Sequence, residues 1–195
     1  MIDPTNPLKN FDLWYKEACS HPNIKEPAAM TVATATKDGA PSARILLLRD
    51  YSEEGFVFYT NLTSRKSNEL KENKNVALCF YWMPIDKQVR ITGKVQKISE
   101  QQADQYFARR PRESQISAWA SKQSMHLDNY QTFEKRIEKI TKDFEGKEVP
   151  RPPFWSGYRL VPEQIEFWIA KEFRRHERYL FTKYANGWQH ELLYP

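Results

Sequence analysis

The segment Phe56–Leu70, which reads FVFYTNLTSRKSNEL, predicts a strand that runs directly into a helix. The first turn of that helix reads Thr63-Ser64-Arg65-Lys66. A helix N-terminus carries unpaired backbone N–H groups and the positive end of the peptide dipoles, so hydroxyls and cations placed there favour a bound phosphate. The same four residues also suit an ordinary capped helix with solvated cations, and taken alone they leave that alternative open.

Patterns typical of strands dominate the rest of the chain, and four helices are predicted among them. The predicted strands are Ala29–Thr36, Ser42–Arg49, Phe56–Asn61, Val76–Trp82, Gln88–Ile98, Tyr158–Pro162, Gln164–Ala170 and Glu177–Tyr184. A hairpin is predicted after the last of them, at Asn186-Gly187. The predicted helices are Leu8–Ala18, Thr63–Asn73, Ser99–Arg110 and Asp128–Phe144. Because helices and strands do not alternate strictly, we expect a single α+β domain, 1–195, built on an antiparallel, Greek-key-like barrel with flanking helices.

Charge and cysteine content narrow the classes of function. The 195 residues include 30 basic and 25 acidic ones, and the two kinds are interleaved, which favours a small anionic ligand over nucleic acid. The two cysteines, Cys19 and Cys79, form no metal-binding spacing, so neither a metal site nor a disulfide framework is expected. The longest apolar run, Val76–Pro84, is too short to span a membrane, and the N-terminus has no apolar leader. We therefore expect a soluble, cytoplasmic protein.

A second candidate phosphate site lies around Arg110. Tyr106 and Arg110 are four residues apart on the predicted helix, which places them on one face, and Ser114 follows just beyond Pro111. A phenol, a guanidinium and a hydroxyl can together hold a phosphate. A surface arginine beside a core tyrosine is the equally simple alternative.

Three further groups of residues are candidates for ligand contacts. If Phe173–Leu180 is a strand, Arg174, His176 and Arg178 project from one face, where they suit either an anion or a solvated sheet surface. Arg44 and Arg49 bracket an apolar run that predicts a buried strand at a barrel rim. The Gln88 amide can recognise a planar heterocycle, although an exposed edge position is the simpler interpretation.

Taken together, these segments resemble the pyridoxine/pyridoxamine 5′-phosphate oxidase family. The resemblance extends from about Asp3 to Pro195 and is most specific in Ser64-Arg65-Lys66, in RPRESQI from Arg110, in Ser121-Lys122-Gln123-Ser124 and in QIEFW from Gln164. It implies an FMN-binding split β-barrel that works as a homodimer, with the flavin between the subunits. The residues implied to contact FMN are Arg44, Ile45, Leu46, Leu47, Arg49, Tyr59, Thr60, Arg65, Lys66, Gln88, Gln123, Ser124, Trp168 and Arg178.

The resemblance also implies a reaction, in which pyridoxamine or pyridoxine 5′-phosphate is oxidised to pyridoxal 5′-phosphate by O2, with release of hydrogen peroxide and, from the amine, ammonia. The residues implied to bind the substrate are Arg49, Tyr106, Arg110, Ser114, Arg174 and His176. Of these, Arg174 and His176 are expected to lie over the pyridine ring as the catalytic pair, which orients the substrate and handles its proton.

The chain departs from the family pattern at several positions, among them Arg49 for a usual Lys, Arg175 for Leu, Ile169 for Gln and Leu192 for Arg. Arginine keeps the charge of lysine but adds a planar fork, so phosphate binding is expected to survive at Arg49. Two alternatives stay open: a divergent flavin oxidase or reductase acting on another heterocycle, and a non-catalytic flavin-binding or nucleic-acid-binding module.

Overall fold

The computed structural model describes residues 2–195, so Met1 of the predicted domain lies outside the described residues. Within that range the chain forms nine strands: β1 Ala29–Ala35, β2 Pro41–Leu47, β3 Asp50–Ser52, β4 Gly55–Asn61, β5 Asn75–Trp82, β6 Lys87–Lys97, β7 Trp155–Ile169, β8 Glu177–Tyr184 and β9 Gly187–Leu193. The helices there are α1 Pro7–Ser20, α2 Arg65–Glu72, α3 Glu100–Ala108, α4 Arg112–Ala120 and α5 Tyr130–Asp143, with short 3₁₀ turns at Met83–Ile85 and Glu172–Arg174.

The strands form one antiparallel sheet that curls around a shared core. The order is β2-β1-β5-β6-β7-β4-β3, with β8 paired to β7 and β9 paired to β8. The 15-residue strand β7 serves both ends of the sheet, because residues 155–160 pair with β4 and residues 164–169 pair with β8. A bulge between Thr92 and Gly93 lets β6 follow β7 through the bend. A Cβ on Gly93 would lie 2.1 Å from the Val161 carbonyl oxygen, so only glycine fits there.

Helix α1 covers the aromatic core of the curled sheet. Phe11 is fully buried and makes edge contacts with Phe56 and Phe80 at ring-centroid distances of 4.9 and 5.3 Å. Trp14, one turn later, contacts Phe167 edge-on at 5.0 Å. Asn6 caps the helix through its side chain, which accepts the Lys9 backbone N–H. The apolar face of this helix is therefore the face that joins it to the sheet.

The predicted α+β architecture and the predicted helices are confirmed with shifts of one or two residues at most ends. Three elements differ from the prediction. Helix α4 and the short strand β3 are not predicted, and the two strands predicted on either side of Glu163 are parts of the single strand β7. None of the helices within residues 2–195 is both long and apolar enough to cross a membrane.

Candidate active site

A cavity of about 300 Å³, here called the α3 cavity, lies where β2 and β4 meet the end of α3. It brings together residues predicted to contact either FMN or the substrate: Ile45, Leu46, Leu47, Arg49, Tyr59, Thr60, Tyr106, Arg110 and Gln123. Asn61 and Trp155 complete its wall and are not among the predicted site residues. Trp155 begins β7 directly opposite Asn61, and the specific Phe154-Trp155 pair in the sequence is the signal that points to it.

Stacked aromatic rings form one side of the α3 cavity and support a cation. The Tyr59 and Tyr106 ring centroids are 3.9 Å apart, and Trp155 continues the stack 5.2 Å from Tyr59. The Arg110 guanidinium lies 4.9 Å from the Trp155 ring centroid. Its Nη1 atom is buried without a hydrogen-bond partner, which costs free energy unless an anion accepts from it. Burial lowers the pKa of Arg110, yet a guanidinium stays charged at any working pH.

Arg110 lines this cavity, but it does not lie on the helix that was predicted to carry it. Helix α3 ends at Ala108, so Tyr106 and Arg110 do not share a helix as the spacing predicted. The residue before a proline is disfavoured in helical conformation, and Pro111 therefore separates α3 from α4. Ser114 lies in the first turn of α4 and is not part of the cavity wall.

The apolar run between Arg44 and Arg49 is also placed differently from the prediction. Strand β2 ends at Leu47, so Arg49 lies beyond the strand. The run is only partly buried: Leu48 is 3% exposed in the core, whereas Ile45 on the edge strand β2 is 62% exposed. Arg49 still lines the α3 cavity, whereas Arg44 turns toward α2.

The predicted phosphate-binding turn forms the start of α2, with Ser64 as its N-cap residue. The Ser64 hydroxyl does not cap the helix, since it donates to the Asn61 carbonyl at 2.8 Å. Lys66 is only 6% exposed, and its Nζ donates to Thr60 Oγ1 at 3.0 Å and to Gln123 Oε1 at 2.7 Å. Burial, with a smaller contribution from the Arg44 charge, lowers the pKa of Lys66 to about 8.

A buried carboxylate that the sequence analysis missed lies beside this turn. Glu69 Oε1 accepts from Arg65 Nε at 2.9 Å, and Glu69 Oε2 lies 3.4 Å from Arg44 Nη2. Burial opposes ionisation, but hydrogen bonds from Ser42, Thr34 and Arg65 together lower the pKa of Glu69 to about 2. The i,i+4 spacing of Arg65 and Glu69 is the sequence signal for the first of these pairs.

Ser124 adopts a left-handed backbone conformation, with φ of 71°, directly after Gln123. The two residues line a second cavity of about 440 Å³ against α5. Gln123 is therefore shared by both cavities, whereas Ser124 lies outside the α3 cavity.

The remaining predicted residues form a second group at the far end of β7. Gln88, Trp168 and Arg178 are register partners across β6, β7 and β8, and we call them the sheet row. Since β6 lies between β5 and β7, Gln88 is not on a sheet edge, and that simpler interpretation of Gln88 is wrong. Arg178 Nε donates to the buried carboxylate of Glu166 at 2.9 Å, which fixes its guanidinium beside Trp168.

The strand that would place Arg174, His176 and Arg178 on one face does not extend over Phe173–Leu180, because β8 begins only at Glu177, as predicted for Glu177–Tyr184. The preceding residues form a 3₁₀ turn in which Phe173 and Arg174 have positive φ values of 55° and 59°. This turn still places the His176 ring 4.6 Å from the Trp168 ring. His176 Nδ1 accepts the Lys171 backbone N–H at 3.2 Å, so a neutral His176 carries its proton on Nε2. The exposed Arg174 side chain makes no hydrogen bond or ion pair within residues 2–195.

The α3 cavity and the sheet row lie at opposite ends of one strand. Trp155 and Trp168 are separated by roughly 40 Å of extended chain. No hydrogen bond or ring contact within residues 2–195 joins the two groups. The predicted site residues therefore form two separate groups within one chain.

Family comparisons cover most of the chain. Residues 20–142 match the family described as pyridoxamine 5′-phosphate oxidase, and residues 155–195 match the pyridoxine 5′-phosphate oxidase C-terminal dimerisation region. A Rubrobacter xylanophilus protein named pyridoxine/pyridoxamine 5′-phosphate oxidase is 48% identical over 99% of this chain and 88% of its own length. A Zymomonas mobilis protein of the same name is 50% identical over 97% of this chain and 98% of its own length.

Two solved structures have a similar fold. PhzG from Burkholderia lata, in complex with tetrahydrophenazine-1-carboxylic acid, matches with a TM-score of 0.92 and 31% identity over 98% of this chain and 94% of that chain. A pyridoxamine 5′-phosphate oxidase-related, FMN-binding protein from Nostoc punctiforme matches with a TM-score of 0.76 over 97% of this chain and 98% of that chain. At 16% identity the second match shows the fold alone, and the predicted split-barrel fold is confirmed.

Proposed function

The chain belongs to the pyridoxamine 5′-phosphate oxidase family, and on that premise we infer that it oxidises pyridoxamine or pyridoxine 5′-phosphate to pyridoxal 5′-phosphate. The family predicted from the sequence motifs is thereby confirmed. One observation carries the inference: relatives with this named activity are about half identical along nearly the whole chain. It favours an oxidoreductase over a non-catalytic binding module.

The start of α2 suits the phosphate of FMN. Arg44, Arg65 and Lys66 provide three cations and Glu69 one anion, which leaves two positive charges. That matches the charge of a phosphate monoester near pH 7, about −1.5 to −2. Lys66 has only neutral oxygen partners, so it can turn toward an arriving anion. When bound, FMN supplies the acceptor for the hydride that leaves the exocyclic carbon of the substrate, and O2, as final oxidant, yields hydrogen peroxide.

The α3 cavity suits the phosphate of the substrate. We propose that Arg110 and Arg49 bind it, with the Tyr106 hydroxyl as a further hydrogen-bond donor. The unpartnered Nη1 atom of Arg110 supports this assignment, because a bound phosphate would satisfy it. Ser114 remains a predicted contact that requires α4 to approach the ligand. Binding energy gained at this phosphate, away from the reacting carbon, can be used to align the ring.

We propose that a second copy of the chain completes each site. The dimerisation region at residues 155–195 includes Trp168 and Arg178 of the sheet row and supports a homodimer. In this arrangement the α2 start and the α3 cavity of one subunit face the sheet row of its partner across the flavin. Each dimer then holds two equivalent sites related by a two-fold axis.

Arg174 and His176 are proposed to contact the pyridine ring of the substrate. The backbone bond to Nδ1 directs the Nε2–H of a neutral His176 outward as a donor, which supports its role in orienting the substrate. Arg174 is exposed and unpaired within residues 2–195, so its guanidinium is available to a ligand. Transfer of the substrate proton through this pair stays a prediction.

The test is to add pyridoxamine 5′-phosphate without oxygen to protein loaded with FMN. We expect the visible absorbance band of the oxidised flavin to bleach. Air should then restore it, with release of pyridoxal 5′-phosphate, ammonia and hydrogen peroxide. A flavin that stays oxidised with both vitamers would contradict the proposal.

A second candidate substrate comes from the likeness to PhzG, whose structure holds a reduced tricyclic carboxylic acid. The departures Arg175 and Ile169 lie next to the proposed ring contacts and motivate the comparison. Measuring kcat/KM for a dihydrophenazine carboxylate and for pyridoxamine 5′-phosphate separates the two. A higher value for the tricyclic acid would favour this divergent oxidase.

We also propose that residues 1–195 act as one domain in the cytoplasm. The continuous nine-stranded sheet supports the first statement. The expected absence of nucleic-acid and membrane partners stays a prediction from charge patterning.

A further inference from the structure

Glu69 is a buried carboxylate at the centre of the proposed flavin phosphate site. It is 4% exposed and sits on the inner face of α2. Its Oε2 accepts from the hydroxyls of Thr34 at 2.5 Å and Ser42 at 2.6 Å. A carboxylate is rarely buried unless its oxygens are paired, and here both oxygens have donors.

The carboxylate links two arginines that come from different elements. Arg44 belongs to the edge strand β2, and its guanidinium also donates to the Val32 carbonyl at 3.2 Å. Arg65 opens α2 and pairs with Glu69 through Nε alone. The two terminal nitrogens of Arg65 make no hydrogen bond within residues 2–195, and its side chain is 66% exposed. Glu69 thus holds Nε of Arg65, while the two terminal nitrogens stay available to a ligand.

We propose that Glu69 is a positioning residue that holds the Arg44 and Arg65 guanidinium groups in place for the phosphate of bound FMN. The inference rests on the proposed function, since it takes FMN as the ligand. It assigns to Glu69 no contact with the flavin. An arginine that is already fixed loses less side-chain entropy when the ligand binds, so more of the interaction energy contributes to affinity.

If Glu69 acts only through its charge, it should weaken FMN binding, which is the opposite of the effect expected from a positioning residue. A carboxylate near a phosphate repels it, so removing the charge should strengthen FMN binding if Glu69 only contributes charge. Because the pKa of Glu69 is about 2, the carboxyl group is ionised at every working pH, and Glu69→Gln removes a full charge. The direction of the change in affinity therefore distinguishes the two roles.

The experiment measures dissociation constants of FMN and riboflavin for the wild type and for E69Q. Glu72 lies on the exposed side of the same helix, so E72Q is the matched control for loss of one negative charge. We expect E69Q to weaken FMN binding about tenfold or more, which is the loss of one charge-assisted hydrogen bond. Riboflavin, which lacks the phosphate, should bind E69Q and wild type alike, and E72Q should bind FMN like the wild type.

An unchanged or stronger FMN affinity in E69Q would overturn the inference, as would an equal loss for riboflavin. If E69Q fails to fold, E69D keeps the charge but is too short to reach all its donors, and wild-type FMN affinity in E69D would overturn it too. Wild-type protein that binds no FMN would refute the proposed function instead.

Discussion

At the scale of single residues, the candidate site contains buried or half-buried cations that have no anionic partner within residues 2–195. Arg110 has a buried nitrogen without a partner, and Lys66 is buried among neutral oxygens. Each arrangement is costly in the free protein and is relieved when an anion arrives. We therefore expect a phosphate to bind at each of them, and each residue leads to a separate prediction.

For Lys66, we expect FMN affinity to depend on pH. Its pKa of about 8 in the free protein means that the ammonium is lost as pH rises through that value. A bound phosphate favours the charged form, so binding above pH 8 takes up a proton and weakens by up to about tenfold per pH unit. The second phosphate pKa, about 6, does not interfere above pH 7. Fluorescence titrations with FMN from pH 7 to 10 check this.

Two controls belong to the Lys66 titration. Riboflavin binding should not show this slope, and K66M should bind FMN weakly at every pH. A flat profile for wild-type FMN binding over the same range would mean that Lys66 does not hold the phosphate.

For Arg110, R110M should impair substrate use without releasing the flavin. Methionine keeps an apolar stem against Trp155 but removes the charge. Loss of a charge-assisted phosphate contact should lower kcat/KM for pyridoxamine 5′-phosphate by about 10- to 100-fold. Arg109 is the exposed neighbour, so R109M is the matched control and should stay close to the wild type. Loss of FMN from R110M would contradict the assignment.

At the scale of helices and strands, periodicity predicts most of the elements but not the breaks and turns between them. Pro111 marks the end of α3, and the same proline is the N-cap of α4, which a reading of proline only as a helix stop misses. The alternating cations at Arg174 and His176 resemble a strand, yet the backbone there takes positive φ values that no periodicity reveals. A local hydrogen bond, from the Lys171 backbone N–H to His176 Nδ1, spans the turn.

The site residues also divide into those that the local sequence reveals and those that it does not. The cations at the start of α2 are evident from the sequence because they are local to one helix turn. Glu69 is not evident from the sequence because its partners Thr34, Ser42 and Arg44 come from another part of the chain. A sequence shows what a residue can do chemically, whereas its partners depend on the register of distant strands.

Helix α1 carries a stability prediction at this scale. Phe11 is fully buried against Phe56 and Phe80, so F11A should lower the free energy of unfolding by about 3–5 kcal/mol. Leu13 is 51% exposed on the same helix, and L13A should change it by less than about 0.5 kcal/mol. Urea unfolding of the apoprotein at one fixed protein concentration compares them. Equal effects of the two substitutions would mean that α1 is not docked through Phe11.

At the scale of the whole molecule, the two separate groups of proposed site residues lead us to expect that function depends on assembly. The α3 cavity and the sheet row lie at the two ends of β7, separated by roughly 40 Å of extended chain. The matched dimerisation region contains Trp168 and Arg178 of the sheet row and all of β8 and β9. Exposed apolar side chains there, including Leu192 and Tyr194, are expected to be covered by the partner subunit.

Shared sites predict that two inactive variants restore activity when they are mixed. K66M damages the α2 start and R178A damages the sheet row, so each homodimer has two defective sites. In a mixed dimer one site receives both substitutions and the other receives neither, because the two-fold axis pairs each α2 start with the sheet row of the partner. Random association should therefore return about a quarter of the wild-type activity in the whole mixture, and about half in purified mixed dimers, each of which has one intact site of two. Co-expression with two affinity tags, followed by an oxidase assay of the doubly tagged fraction, measures it. If the mixed dimers stay as inactive as the parents, each site is built within one chain and the proposed arrangement is wrong.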